Sequence, residues 1–264
     1  MRIFFILLIS LSLLACVTDN TENATLIGTV TCNMQDVTVA VYAQTALDTT
    51  LVRINREFPH IGIQISQETE FDHRMQSPVT MTKTDVLGEY KIDKVKPGRY
   101  NLVFLKEGYS LKYVYEVNLT EGENVLEPQE LLPCVDVSAT ITEPMTFMSG
   151  VQYNFSQDTQ IMSPVYIEAG AILSIAKEKK VDFYGNVQTA ESGARWQITS
   201  SSCLNEITNT PPDSTDYFNC VIIHAYNNNQ TNLQNGIVSF INAGISIDPA
   251  NSVYANMRAK YGFA

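Results

Sequence analysis

Alternating, β-branched runs fill this chain from residue 25 onward, and almost nothing there carries the three-to-four-residue spacing of an amphipathic helix. Residues 25–31, 36–44, 60–66 and 79–84 show the pattern, and 89–95, 99–105 and 111–119 extend it. Leu87-Gly88, Lys96-Pro97-Gly98, Glu107-Gly108 and Glu121-Gly122 punctuate the runs as turns. Several short strands at this spacing predict a β-sandwich. Residues 126–133, with Pro128 and Pro133, read as the exit from it, so a domain boundary is expected near Cys134.

Beyond that boundary the rhythm changes. Residues 165–168, 172–175, 181–184 and 196–199 form very short apolar runs separated by small or glycine-containing corners. Such strands fit a coil wound around a common axis, each turn stacking on its neighbours. Residues 250–263, holding Met257, Arg258, Lys260 and Tyr261, are expected to form a short helix closing one end.

The first sixteen residues have a third character. Arg2 precedes an apolar run at 3–14, interrupted by Ser10 and Ser12, which ends in Leu13-Leu14-Ala15-Cys16. Twelve residues are too few to span a bilayer, so the run reads as a secretory signal. Its last four residues resemble the lipobox of bacterial lipoproteins, which implies lipidation of Cys16 and removal of residues 1–15. Each buried methylene of the acyl chains then contributes about 0.8 kcal/mol to membrane attachment. Residues 16–24 are polar and read as a tether. Val17 stands where an aspartate would signal inner-membrane retention. The expected location is therefore the outer membrane, lipid-anchored, facing the periplasm or the cell surface.

Two further resemblances sharpen the architecture. Thr82, Asp85, Gly88, Tyr90 and Ile92, followed by Pro97-Gly98, Tyr100, Leu102 and Gly108-Tyr109, resemble the carboxypeptidase regulatory-like domain, with a long insertion at about 46–78. That resemblance implies a seven-stranded, transthyretin-type sandwich acting as an accessory module. Ile167, Gly170, Leu173, Ile175, Phe183, Gly185, Trp196 and Ile198, with later runs at 220–226 and 236–242, resemble the rungs of a right-handed parallel β-helix of the pectate-lyase-like type. The expected fold class is all-β: a seven-stranded sandwich at 25–133, then a short right-handed parallel β-helix with a C-terminal cap at 134–264.

Composition narrows the partners. The chain has 28 acidic and 17 basic side chains, a net charge of −11. That balance excludes nucleic acid as a partner and disfavours direct docking to anionic lipid heads. Apart from Cys16, four cysteines remain, an even number suited to an oxidising compartment. Three pairings exist, and Cys32–Cys134 with Cys203–Cys220 keeps each bond within one expected domain. No pair has zinc-knuckle spacing, so neither a metal nor another cofactor is expected.

No catalytic constellation stands out. A lyase on such a coil needs clustered carboxylates and a base, yet Asp158, Asp182, Asp213, Asp216 and Asp248 are scattered. A glycosidase needs two facing carboxylates, and no spacing selects a pair. Glu68, Glu70 and Asp72 alternate ahead of His73; a solvated strand edge is the expectation there, with a calcium site the alternative. Trp196 is expected inside the coil, and Tyr109, Tyr113 and Tyr115 in cross-strand packing. The candidate binding loop is 204–219, with Pro211-Pro212, Asp213, Asp216, Tyr217 and Phe218 between two cysteines. The expected function is a non-catalytic structural, adhesive or complex-forming lipoprotein that binds a protein partner or a second copy of itself. Carbohydrate binding or polysaccharide processing is the alternative.

Overall fold

The structure, a computed structural model, describes residues 23–31, 34–44, 71–185, 187–189, 194–208, 220–223, 236–241 and 245–247. At 75, 188, 189, 194–196, 220, 222, 223, 236–241 and 245–247 it describes the backbone alone. These residues are nearly all β, with helix limited to a 3-10 turn at His73–Met75.

The first half holds two sheets. In one, β1 (Ala24–Thr29) lies between β4 (Glu89–Val95), antiparallel to it, and β7 (Gly122–Val125), parallel to it. The other runs β3 (Thr80–Lys83), β2 (Thr38–Ala43), β5 (Gly98–Leu105), β6 (Lys112–Leu119), antiparallel throughout. Alternation explains β4, whose Tyr90, Ile92 and Val95 are buried while Glu89, Lys91 and Asp93 face water. Two residues separate Ile92 from Val95, one too many for strict alternation. Lys94 absorbs the extra residue at φ 63°, opposite a register shift in β1, as a bulge does. Leu26, Tyr90 and Ile92 from the first sheet meet Val39, Val41, Leu102 and Phe104 from the second in one apolar cluster.

Strand β5 is apolar on both faces, because both are covered. Tyr100, Leu102 and Phe104 enter the cluster just described, whereas Val103 and Leu105 enter another with Ala40, Tyr42, Phe71 and Leu111. Ile172 and Leu204 of the second half complete that second cluster, so the four-stranded sheet is the surface on which the two halves meet.

The second half has three stacks of parallel strands visited in rotation. One contains β8 (Val135–Asp136), β11 (Gln152–Phe155), β14 (Ile172–Ile175), β17 (Ala194–Ser200) and β19 (Gly236–Ile241). The next contains β9 (Thr140–Ile141), β12 (Thr159–Ile161), β15 (Lys180–Phe183), β18 (Cys220–Ile223) and β20 (Ile245–Ile247). The third contains β10 (Met145–Phe147), β13 (Val165–Ile167) and β16 (Val187–Thr189). Partners such as Gln152 and Ile172, or Met145 and Val165, are 20 residues apart. Alternate side chains point inward: Ile161, Val165, Ile167, Leu173 and Ile175 are buried, while Gln160 and Tyr166 are exposed. Phe147 of the third stack touches Tyr153 (4.8 Å) and Phe155 (6.1 Å) of the first, so the stacks share an interior. At one corner Gly170 adopts φ 81° and accepts from the Gly150 amide at 3.1 Å, a conformation that disfavours residues with a Cβ.

The stacking begins at Val135, ahead of the first short run legible at 165–168, because β8 and β9 are two-residue strands with no readable alternation. Among the described residues Cys134 and Cys203 are free thiols, while Cys32 and the side chain of Cys220, their expected partners, lie outside them. Cys203 is committed to the turn after β17 at φ 51°, whereas Cys220 opens β18 opposite Lys180, in a different stack. The amide of Cys134 bonds the Gly108 carbonyl, and burial raises its thiol pKa. Cys16, Cys32 and the 250–263 segment lie outside the described residues.

Candidate functional site

The densest polar cluster sits where the halves meet and comes from the 46–78 insertion. Phe71 packs edge-on against Tyr42 (5.3 Å) and Tyr113 (5.6 Å), which pulls the next three residues beneath the four-stranded sheet. Asp72 caps the 3-10 turn by accepting from the Arg74 amide at 3.0 Å. Asp72, His73 and Arg74 are all buried, the last two at 0% exposure.

Arg74 uses every one of its N–H groups. Nε donates to both Asp72 oxygens (3.0 and 3.2 Å), and one Nη2 hydrogen goes to Asp72 Oδ2 at 2.9 Å. The other Nη2 hydrogen reaches Thr199 Oγ1 at 2.8 Å, and Nη1 donates to the carbonyls of Ser200 and Ser202, each at 2.8 Å. A planar five-donor fork thus joins a carboxylate of the first half to the end of β17 in the second. Burial works against the Arg74 charge, but the field and hydrogen bonds of Asp72 outweigh it and raise its pKa.

His73 bridges the same two halves. Its Nε2 lies 3.2 Å from the Glu206 carbonyl, which can only accept, so Nε2 carries the proton. Nδ1 is then free to accept from the Tyr113 hydroxyl at 2.9 Å. Tyr113 keeps its proton because burial lifts its pKa well above the ordinary value, with Asp72 adding to the shift. Burial lowers the His73 pKa to about 4 despite the opposing pull of Asp72. At neutral pH the 3.9 Å approach of His73 to Asp72 is therefore not an ion pair.

Alternation had suggested a solvated edge, or a calcium site, at Glu68, Glu70 and Asp72. Asp72 is instead a buried ion-pair partner, while Glu68 and Glu70 lie outside the described residues. Tyr113 and Tyr115 stack at 5.6 Å within this junction. The bonds that Arg74 makes across to the second half carried no local signal, because Thr199 lies 125 residues away. Among the described residues no three His, Cys, Asp or Glu groups could hold a metal ion. No helix among them is long and apolar enough to cross a membrane.

The candidate loop is described only at its root. Leu204 is buried in the junction cluster, Ile207 packs beside it, and Glu206 receives His73. Asp213, Asp216, Tyr217 and Phe218 lie outside the described residues, as does the side chain of Trp196. Elsewhere, a groove of about 650 Å³ near the three-stranded sheet is lined by Ile27, Lys83, Asp85, Glu89, Lys91 and Leu126, a mixed-charge set. On the coil, Met162 (50%), Tyr166 (39%) and Tyr184 (41%) are exposed.

No family model matches this chain, and no curated protein matches it. Among solved structures it is similar to one from Bacteroides uniformis described as a "putative carbohydrate binding protein", at 13% identity and a TM-score of 0.25. The alignment covers 42% of each chain, so this chain spans less than half of that protein's length.

Proposed function

We propose that this protein is a non-catalytic, lipid-anchored module of the outer membrane, structural or complex-forming in role. In this reading residues 25–133 form a carboxypeptidase regulatory-like sandwich, and 134–264 a short right-handed parallel β-helix held at a fixed angle to it. The observation that carries the reading is the Arg74 junction. Its charged groups are buried and spend their hydrogen bonds on one another and on the opposite half, so they hold two parts together instead of meeting a substrate. The 3+4 arrangement of strands and the 20-residue pairing offsets support the two architectural names. Acylated Cys16 supplies the anchor.

Fractionating cells that express Cys16→Ser tests the anchor: the wild type is expected in the detergent phase and the variant in the aqueous phase. A variant that stays with membranes overturns it. Turnover of polysaccharide by the purified chain, as released reducing or unsaturated ends, overturns the non-catalytic role. A second reading, glycan capture, is favoured by Tyr166 and Tyr184, exposed on adjacent turns of a rigid coil. Sugar rings stack on such faces, and retardation in a glycan-containing gel that Tyr166→Ala abolishes would select that reading.

A further inference from the structure

Among the described residues of the junction, His73 is the group poised to change charge in mildly acidic water. Its ring is gripped from both halves, by Tyr113 of β6 and by the Glu206 carbonyl after β17. Among the described residues, the groups facing it are few. Its own segment supplies Asp72 and Arg74, β2 supplies Tyr42 at 6.3 Å, and β6 supplies Tyr113 with Tyr115 stacked behind it. The turn after β17 supplies Cys203, near Arg74, and backbone carbonyls, while the Glu206 carboxylate itself faces water.

That setting suits a neutral ring and resists a charged one. A second ring proton would appear on Nδ1, where the Tyr113 hydroxyl now donates, so this hydrogen bond must reverse. Among the described residues Asp72 is the single acid beside the ring, and Arg74 already holds both its oxygens. A second cation would also be placed next to Arg74 inside the protein.

We propose that His73 is an acid-sensitive latch: protonation of its ring loosens the contact between the two halves while each half keeps its own fold. The direction follows from linkage. The ring's pKa is about 4 when the junction is closed and returns toward 6.5 when it opens to water. The open state therefore binds more protons, and closure is fully favoured above 6.5. That advantage is lost as pH falls from 6.5 toward 4, and below 4 nothing more is lost. Between pH 7.5 and 4.5 the opening constant rises roughly 70-fold.

Hydrogen exchange on the intact chain at these two pH values, corrected for intrinsic rates, reads the latch directly. Amides at 111–115 and 199–206 should lose protection by roughly 70-fold at pH 4.5, while those of β1, β4 and β12 keep theirs. His73→Gln, which can donate to Glu206 and accept from Tyr113 without titrating, should abolish the pH response. An equal response in His73→Gln, or none in the wild type, overturns the proposal. Should that variant not fold, NMR titration of the wild-type His73 ring decides. A midpoint near 6.5 with the junction still protected overturns the latch; protonation coinciding with loss of protection sustains it.

Discussion

Arg74→Met is the sharpest test of how the halves are joined. The change keeps an unbranched apolar side chain and removes five donors. It strands the Asp72 carboxylate, whose side chain is 2% exposed, with the Arg74 amide still donating to it. It also takes one donor each from the carbonyls of Ser200 and Ser202 and the hydroxyl of Thr199. Breaking a buried pair by removing one partner costs about 3–5 kcal/mol. A loss of about 4 kcal/mol is a large share of the roughly 5–15 kcal/mol that stabilises a folded domain. The loss falls on the junction, so urea unfolding should become biphasic, the halves melting separately where the wild type melts once. Removing the other charge as well, in Asp72→Leu/Arg74→Met, should recover at least about 2 kcal/mol, because no unpaired ion remains buried. A loss below about 1 kcal/mol with one transition, or a double variant that is merely additive, would show that this ion pair does not couple the halves.

Gly185→Ala should be strongly destabilising, because its Cβ would overlap the Ser163 carbonyl and the Pro164 nitrogen of the turn below. A melting temperature unchanged within a degree would argue against close stacking at that corner. Asp85→Ala should cost about 1 kcal/mol, since Asp85 Oδ1 accepts from the Leu87 and Glu89 amides (2.8 and 2.9 Å) and closes the turn before β4. Denaturant midpoints read this, and an unaltered midpoint would mean water replaces the carboxylate without loss.

Much of the strand content was legible because one-sided burial writes alternation into sequence. Glu89–Val95 was expected with the bounds it has because its burial is one-sided, and 172–175 because all four of its residues are buried and form a short apolar run. Gly122–Val125 was missed: it is mostly exposed and becomes a strand by pairing in parallel with β1, a hundred residues earlier. The two-residue β8 and β9 were missed for the same reason, held by β11 and β12 and not by their own propensity.

The junction shows the division most clearly. Phe71, Asp72, His73 and Arg74 in sequence are one apolar and three charged or polar residues, a pattern that a solvated turn satisfies equally well. Burial came from partners on β2, β6 and the end of β17, and those contacts exist only once both halves have folded. The cysteines tell the same story, since an even count suggested pairs while the chain path set Cys203 in a turn and Cys220 on another strand. Sequence by itself determined what each short stretch prefers: β structure nearly throughout, a change of rhythm near residue 134, and an apolar run ahead of Cys16. Tertiary structure alone decided which charges left water, because desolvation is a property of the surroundings and here the surroundings arrive from more than a hundred residues away.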